Sequence, residues 1–176
     1  GNRCEKGAGK KESEQLPNLF EWKYRKILSL EQENQPAEPK ATVGLPLALH
    51  YYDQMPLWHT FFTELGFAVK FSEESTRGTY YKGQSTIPSD TVCFPAKLVH
   101  GHIRSLANMH VDRIFMPSIT SVQSENKEKT SEWMCAIVKG YPLVIKNSDN
   151  PEHVFGIPFD NPLFHWYTKE DRNEQL

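Results

Sequence analysis

Four residues with reactive or charged side chains lie at helical spacing in and just after the stretch IPSDTVCFPAKLVHGHI, residues 87–103. On a helix that begins near Cys93, a turn of about 100° per residue brings all four within roughly 60° of one another. They are Cys93, Lys97, His100 and Arg104. A cysteine in the first turn lies near the positive end of the helix and its unpaired amides, and both favour the thiolate over the thiol. Because the thiolate is the form that binds metal or attacks an electrophile, Cys93 is the first candidate for chemistry.

The rest of this segment indicates how the helix would be oriented. Pro95 fits the first turn, where no amide hydrogen bond is lost, and Ser89 or Asp90 is expected to cap the helix. The apolar residues cluster on the side opposite the thiol, so we expect that side to face the core and Cys93 to share the solvent side with the cations. These apolar residues are Leu98, Val99, Leu106 and Met109. The alternative is a small buried cysteine beside an ordinary solvated stripe of charge.

The two other cysteines, Cys4 and Cys135, give weaker signals. Cys135 begins an apolar run 42 residues after Cys93 (135 − 93), and the sequence has no C-x-x-C pair, which argues against a self-contained zinc site. Cys4 lies in a polar, glycine-rich segment. An odd number of widely spaced cysteines without a secretory hydrophobic region favours reduced thiols or metal ligands over disulfides.

Other common catalytic motifs are missing from the sequence. It contains no G-x-G-x-x-G, no phosphate-loop motif, no H-E-x-x-H and no G-x-S-x-G. His100 and His102 form an H-x-H pair, but on a helix their side chains diverge by about 200°. We therefore predict that His102 lies on the apolar side as a hydrogen-bonded core histidine.

Composition limits the classes of partner. The 20 basic and 22 acidic residues of this 176-residue chain give a net charge of −2, so no basic field indicates nucleic acid. No apolar run approaches the roughly 18 residues of a membrane span. We expect a cytoplasmic protein without nucleic-acid or membrane partners.

Polar segments at both ends bound the expected domain. Residues 1–40 are predicted to be a flexible lead-in with a linker or arm, of which residues 1–15 are mobile. Residues 20–28 carry apolar side chains at helical spacing, although an extended arm is an alternative. Residues 41–168 are predicted to form a single α/β domain, and residues 169–176 a polar tail.

Within the domain, strand and helix signals alternate. Strands are expected at residues 41–49, 67–72 and 112–118, with WMCAIVKGYP (133–142) and HVFGIPFD (153–160) as further strand candidates. Helices are expected at residues 55–66, where Leu57, Phe61 and Leu65 recur at four-residue steps, and at 93–109. The alternation predicts an α/β fold, a doubly wound and mainly parallel sheet with helices on both faces, Rossmann-like or flavodoxin-like.

Four blocks of the sequence carry a family resemblance. They are GLPLALHYYDQMPLWHTFFTELGFAV (44–69), TIPSDTVCFPAKLVHGHI (86–103), VDRIFMPSI (111–119) and CAIVKGYPLVIK (135–146). Together they resemble the uncharacterised domain that follows the ATPase part in large activators of 2-hydroxyacyl-CoA dehydratases. GNRCEKG and PNLFEWKYRKILS are similar to the lead-in of that domain, so the resemblance covers nearly the whole chain.

The resemblance implies an α/β domain related to the iron-sulfur subunits of the dehydratases. Cys93 and Cys135 match the cysteines of the family blocks and become candidate cluster ligands, with Lys97 and His100 as candidate cofactor-binding neighbours. Cations and amides of this kind raise the potential of a negative cluster. Two cysteines are too few for a four-thiolate site, so the isolated domain is expected to bind no cofactor and to have no turnover of its own.

The missing ligands would come from other sequence, another chain or a non-protein group. The partners that the resemblance implies are the ATPase activase domain and the remaining cluster-ligand domain of a parent chain, with a CoA-ester dehydratase as a further partner. The polar stretch TSVQSENKEKTSE (120–132) is expected to be disordered without its partner. If Cys93 and Cys135 share a cluster, their sulfurs should lie at one sheet edge, within roughly 10 Å of each other.

Two other classes of function remain open. A non-catalytic ligand-binding or scaffold domain without a cluster would recognise a small ligand at the carboxyl ends of the strands. An enzyme with a cysteine nucleophile would need a base with an orienting third group, and the sequence shows no evident candidate for either.

Overall fold

The computed structural model describes residues 17–124, 126, 128 and 132–176. The predicted mobility of residues 1–15, the position of Cys4 and part of the predicted loop at 120–132 lie outside these residues. The helices are α1 (Leu19–Ser29), α2 (Tyr51–Glu64), α3 (Arg77–Gly83), α4 (Phe94–Asn108), α5 (Ala136–Ser148), α6 (Pro151–Phe155) and α7 (Lys169–Gln175). The strands are β1 (Thr42–Leu45), β2 (Ala68–Phe71), β3 (Arg113–Phe115), β4 (Ser118–Val122), β5 (Phe159–Asp160) and β6 (Leu163–Trp166).

Four parallel strands form the main sheet in the order β2-β1-β3-β5. From β1 the chain moves through α2 to β2 on one side, and from β2 it crosses back through α4 to β3 on the other. Because such crossovers are right-handed, the reversal puts α2 on one face of the sheet and α4 on the opposite face. The predicted doubly wound α/β fold is therefore confirmed.

The second sheet, β4 beside β6, continues the ladder between β3 and β5. Partners in the β3–β5 pairing and in the first part of the β4–β6 pairing differ in number by 45, as in Phe115 with Asp160 and Ser118 with Leu163. Between the two sheets the amides of Met116 and Ser118 still donate to β5 and the residues after it, at 2.8 Å each. The ladder is interrupted because residue 162 is a proline, which has no amide hydrogen to donate to the Met116 carbonyl. The two strands thus extend as a pair beyond the carboxyl ends of β1 and β2.

Close contact between α3 and α4 fixes the position of α4. A Cβ atom added to Gly101 would lie 1.8 Å from the backbone oxygen of Thr79, and one added to Gly83 would lie 2.3 Å from the Gly101 amide nitrogen. Only glycine allows two helices to approach this closely. On its other side α4 buries Val99, Ile103 and Leu106 in the core, as its apolar periodicity predicts.

The predicted strand at residues 133–142 is wrong, because most of that segment lies in α5. Its deeply buried residues, Tyr141, Pro142 and Ile145, recur at helical spacing and do not alternate, and the apolar run is longer than a typical strand. The predicted strand at 153–160 is correct only for β5. It follows α6, whose C-cap residue Gly156 has a φ of 70° in the left-handed region, where glycine is favoured.

Two helices lie where the sequence suggested loose ends. Of the two alternatives for residues 20–28, the helix is the one observed, and its Ile27 is buried. Residues 169–175 form α7, because the Thr168 hydroxyl accepts from the Asp171 amide and the Asp171 carboxylate accepts from the Thr168 amide. This reciprocal pair is a capping box.

Candidate functional site

Cys93 is the N-cap residue of α4, immediately before the helical turn in which it was expected. Its backbone is extended, with a φ of −61° and a ψ of 150°, and its carbonyl accepts from the amides of Ala96 at 3.1 Å and Lys97 at 3.3 Å. Neither Ser89 nor Asp90 caps the helix, because the turn that contains them ends before α4 begins. The Cys93 side chain makes no capping hydrogen bond, and the residue is exposed.

Cys135 occupies the same position on α5. It is the N-cap, with a φ of −53° and a ψ of 142°, and it is exposed and makes no side-chain cap bond. A short antiparallel pairing with β4 supports it, since the Met134 amide donates to the Thr120 carbonyl at 2.9 Å and the Val122 amide donates to Glu132 at 3.2 Å. The thiol therefore lies next to the extension of the sheet beyond its carboxyl edge.

Both cysteines lie at the same edge of the sheet. Helix α4 leads into the start of β3, and α5 leads through α6 into the start of β5, so both helices run opposite to the parallel strands and begin at the carboxyl edge. The two helices also touch, since the Tyr141 hydroxyl lies 3.1 Å from Nε2 of His100. Burial, and secondarily the charge of a Cys93 thiolate, raise the pKa of Tyr141 to about 12. The sulfur–sulfur separation of roughly 10 Å stays a prediction.

His100 does not lie on a solvent face with Cys93, so that part of the geometric prediction is wrong. Its side chain is fully buried because α5 covers this side of α4. Nδ1 lies 3.3 Å from the Asp149 carboxylate and 3.1 Å from the Thr86 hydroxyl. A carboxylate only accepts, so we assign the ring proton to Nδ1 and infer that Nε2 accepts from the Tyr141 hydroxyl. His100 is therefore not free to act as a base for Cys93, although Asp149 orients it.

The two predicted cations bind other groups. The Lys97 ammonium donates to the Asp90 carbonyl at 2.7 Å and so fastens the turn before α4 to its first turns. The Arg104 guanidinium donates to Asp149 at 3.0 Å and stacks on Phe155, with 5.4 Å from its central carbon to the ring centre. Both support the elements that carry the cysteines, and the use of Lys97 and His100 in cofactor binding stays a prediction.

His102 is the hydrogen-bonded core histidine that the sequence predicted. It is fully buried, with Nδ1 at 2.8 Å from the Ser72 hydroxyl and Nε2 at 2.9 Å from the Ser75 hydroxyl. Burial lowers the pKa of His102 to about 4, so the neutral ring is the stable form in the folded protein.

The cysteine pair fits a metal cluster only as part of a larger ligand set. Among residues 17–124, 126, 128 and 132–176, no three His, Cys, Asp or Glu side chains converge in a way that could hold a metal ion. Cys93 and Cys135 are nevertheless exposed thiols at one edge, each at the start of a helix. Such a pair has room for ligands from outside the domain.

A separate cavity, which we call the aromatic groove, lies at the carboxyl ends of β3 and β5 and does not include either cysteine. Its volume is about 570 Å³, and Lys146, Asp160 and Asn161 also line it. Six rings form its walls: Trp58, Phe61, Phe62, Phe115, Phe159 and Phe164. Sequence reasoning missed it because the groove joins residues from α2, the strand ends and α7 that are far apart in the chain. The four-residue repeat that predicted α2 does not mark its buried side, since the deeply buried residues include Tyr51, Met55 and Trp58, whereas Leu65 is exposed.

The fold and the site together define a doubly wound α/β domain with two exposed thiols that begin neighbouring helices at the carboxyl edge. The chain belongs to the family described as CoA enzyme activase uncharacterised domain, whose match covers residues 42–176. The resemblance on which the sequence analysis rested is thereby confirmed at the level of the family. No curated protein and no solved structure matches the chain. Within the described part of the chain, none of the helices combines the length and the apolar character needed to cross a bilayer.

Proposed function

We propose that this domain supplies the thiolates of Cys93 and Cys135 to an iron-sulfur cluster that ligands from outside the domain complete. The cluster would serve electron transfer, or docking to a CoA-ester enzyme such as a 2-hydroxyacyl-CoA dehydratase. The observation that carries the proposal is that both cysteines are exposed N-cap residues at one edge of the sheet. Membership of the activase family supports a role beside a partner enzyme.

The residues of this chain would hold and stabilise negative sulfur at this edge. The first-turn amides of α5, at residues 136–138, have no carbonyl partner within the helix, and the side chain of the N-cap residue Cys135 does not cap them. In α4 the Phe94 amide likewise has no carbonyl partner within the helix, whereas Pro95 has no amide hydrogen. An iron-sulfur cluster supplies one-electron chemistry, and amides that donate to its sulfurs raise its potential.

The remaining ligands and the partners follow from the incomplete set. We propose that they come from the remaining cluster-ligand domain of a parent chain, which also carries an ATPase activase domain. Exposure of both thiols supports this, because ligands of a closed site within one domain would be covered. A cytoplasmic location is part of the same proposal, since reduced thiols persist there.

Anaerobic iron and sulfide analysis of the longer native protein tests the proposal. We expect Cys93→Ser and Cys135→Ser each to remove at least half of the bound iron and sulfide. Ser89→Ala, an exposed change in the turn before α4, is the matched control and should leave both unchanged. Wild-type iron content in both cysteine variants would refute the proposal.

The isolated domain gives a second test. We expect it to be colourless, to bind no stoichiometric metal and to unfold at the same urea concentration with or without a chelator, because its stability comes from the core. A chelator that unfolds it, or purification with one zinc ion per chain, would contradict the inference that two thiolates are an incomplete set.

A second candidate function is that of a non-catalytic ligand-binding domain without a cluster. The aromatic groove favours it, since a cavity of about 570 Å³ lined by aromatic rings and a few polar side chains has the size and lining of small-molecule sites. Iron content separates the two candidates, because a ligand-binding domain would hold none in the longer protein.

A further inference from the structure

We propose that the aromatic groove binds a small aromatic carboxylate, with the ring between the aromatic walls and the carboxylate at Lys146. This inference deepens the second candidate function and does not depend on a cluster. It rests on the shape of the walls, on an uncompensated positive charge and on a strand edge that is partly closed.

The walls of the groove are preformed. The Trp58 ring stacks on Phe164 with centres 5.7 Å apart and meets Phe115 edge-on at 4.7 Å, while Phe62 meets Phe115 edge-on at 5.0 Å. Trp58, Phe115 and Phe164 are buried, so the rings are held by the core. An aromatic ligand can extend such offset and edge-on contacts, which adds to the gain from burying its surface.

The charge of the groove selects an anion. The Lys146 ammonium donates to the neutral side-chain oxygen of Asn161 at 3.2 Å, and no salt bridge to Lys146 is found among the described residues. Among the described lining residues, Asp160 has the only carboxylate side chain, and Arg113 binds both of its oxygens at 2.8 and 2.7 Å. The groove therefore offers one cation without a carboxylate partner, which a ligand carboxylate can bind by a charge-assisted hydrogen bond.

A peptide added as a further strand is a poorer occupant. β5 is an edge strand of only two residues, which offers little backbone to an added strand. Further along, the Gln175 side chain bonds the backbone edge of His165, accepting from its amide at 2.8 Å and donating to its carbonyl at 3.2 Å. Too little free edge remains for a ladder, so a compact ligand fits better than an extended chain.

Calorimetric titration of this chain with 2-naphthoate and 2-naphthamide tests the proposal. The two probes share a ring system and differ in charge, so we expect naphthoate to bind about two- to fivefold more tightly, the gain of an exposed ion pair. Lys146→Met should remove that preference and leave naphthamide binding unchanged. The control is Lys139→Met, on the same helix but outside the groove, where the ammonium lies over the Trp133 ring.

Several results would overturn the proposal. They are equal affinities for the two probes, equal effects of the two lysine variants, or no binding of naphthoate at millimolar concentration. Urea unfolding midpoints confirm that each variant is folded. Failure here leaves the iron measurement untouched, so the groove and the cluster are judged separately.

Discussion

The buried carboxylate of Asp149 is the most sensitive electrostatic point between α4 and α5. Its side chain is 2% exposed, and it accepts from Arg104 at 3.0 Å, from the Thr86 hydroxyl at 2.8 Å and from Nδ1 of His100 at 3.3 Å. Asp149→Asn keeps the shape and removes the charge. The variant would leave a guanidinium without its carboxylate and turn one acceptor oxygen into a donor that faces other donors.

The expected cost follows from burial. Removing one partner of a buried ion pair costs about 3–5 kcal/mol. Because the Arg104 side chain is 22% exposed and can recover some hydration, we expect the lower end, about 3 kcal/mol. That is a large part of the roughly 5–15 kcal/mol by which a domain is stable, so the urea midpoint should fall sharply with no change in the slope of the transition.

Asp160→Asn is the matched control for this prediction. Asp160 also binds an arginine, and with two hydrogen bonds, but its side chain is 36% exposed and that of Arg113 is 45% exposed. Exposed pairs contribute about 0.2–1 kcal/mol, so this variant should unfold close to the wild type. Equal losses in the two variants, measured by circular dichroism in urea, would refute the argument that burial makes Asp149 important.

Three further predictions follow from packing and titration. Gly101→Ala should prevent folding, because the added Cβ would lie 1.8 Å from a backbone oxygen of α3. Gly140 has open space around it, so Gly140→Ala should raise the free energy of unfolding, measured in urea, by about 0.5–1 kcal/mol. Burial lowers the pKa values of His50 and His102 to about 4, so the unfolded chain binds more protons between pH 6.5 and 4. Stability in urea should therefore be complete above pH 6.5 and decline towards pH 4; a flat profile would contradict this. The pKa of Tyr141 is raised to about 12, so its contribution should be present below pH 10 and be lost as the pH rises towards 12, a loss that Tyr141→Phe should abolish.

The sheet and its main helices could be predicted because their signals are local. Short apolar runs at residues 41–49, 67–72 and 112–118 alternate with helical periodicity, and β1, β2 and β3 lie within them. The same periodicity placed His102 on the core side of α4, where Ser72 and Ser75 bind it. Local spacing was sufficient because the core side of α4 is defined by the residues of the helix itself.

Contacts between distant segments could not be predicted. Helical spacing correctly put Cys93 and His100 on one side of α4, but only the fold shows that α5 covers His100 and leaves Cys93 exposed. The segment that became α5 was mistaken for a strand, so the covering element was missing from the prediction. The aromatic groove could not be predicted for the same reason, since two of its wall residues, Phe62 and Phe164, are 102 residues apart in the chain (164 − 62).

The two cysteines differ in the way the fold supports them, and this bears on what a shared site would require. Cys135 follows directly from the strand pairing of Met134 with Thr120, on the continuation of the ladder beyond the carboxyl ends of β1 and β2. Cys93 is held through α4, whose place is set by the glycine contact between Gly83 and Gly101. Both supports consist of backbone hydrogen bonds or backbone contacts, which need no metal to form. The edge that carries the thiols is therefore preorganised. A ligand from outside the domain would bind there without the loss of conformational entropy that ordering these two helices would otherwise require.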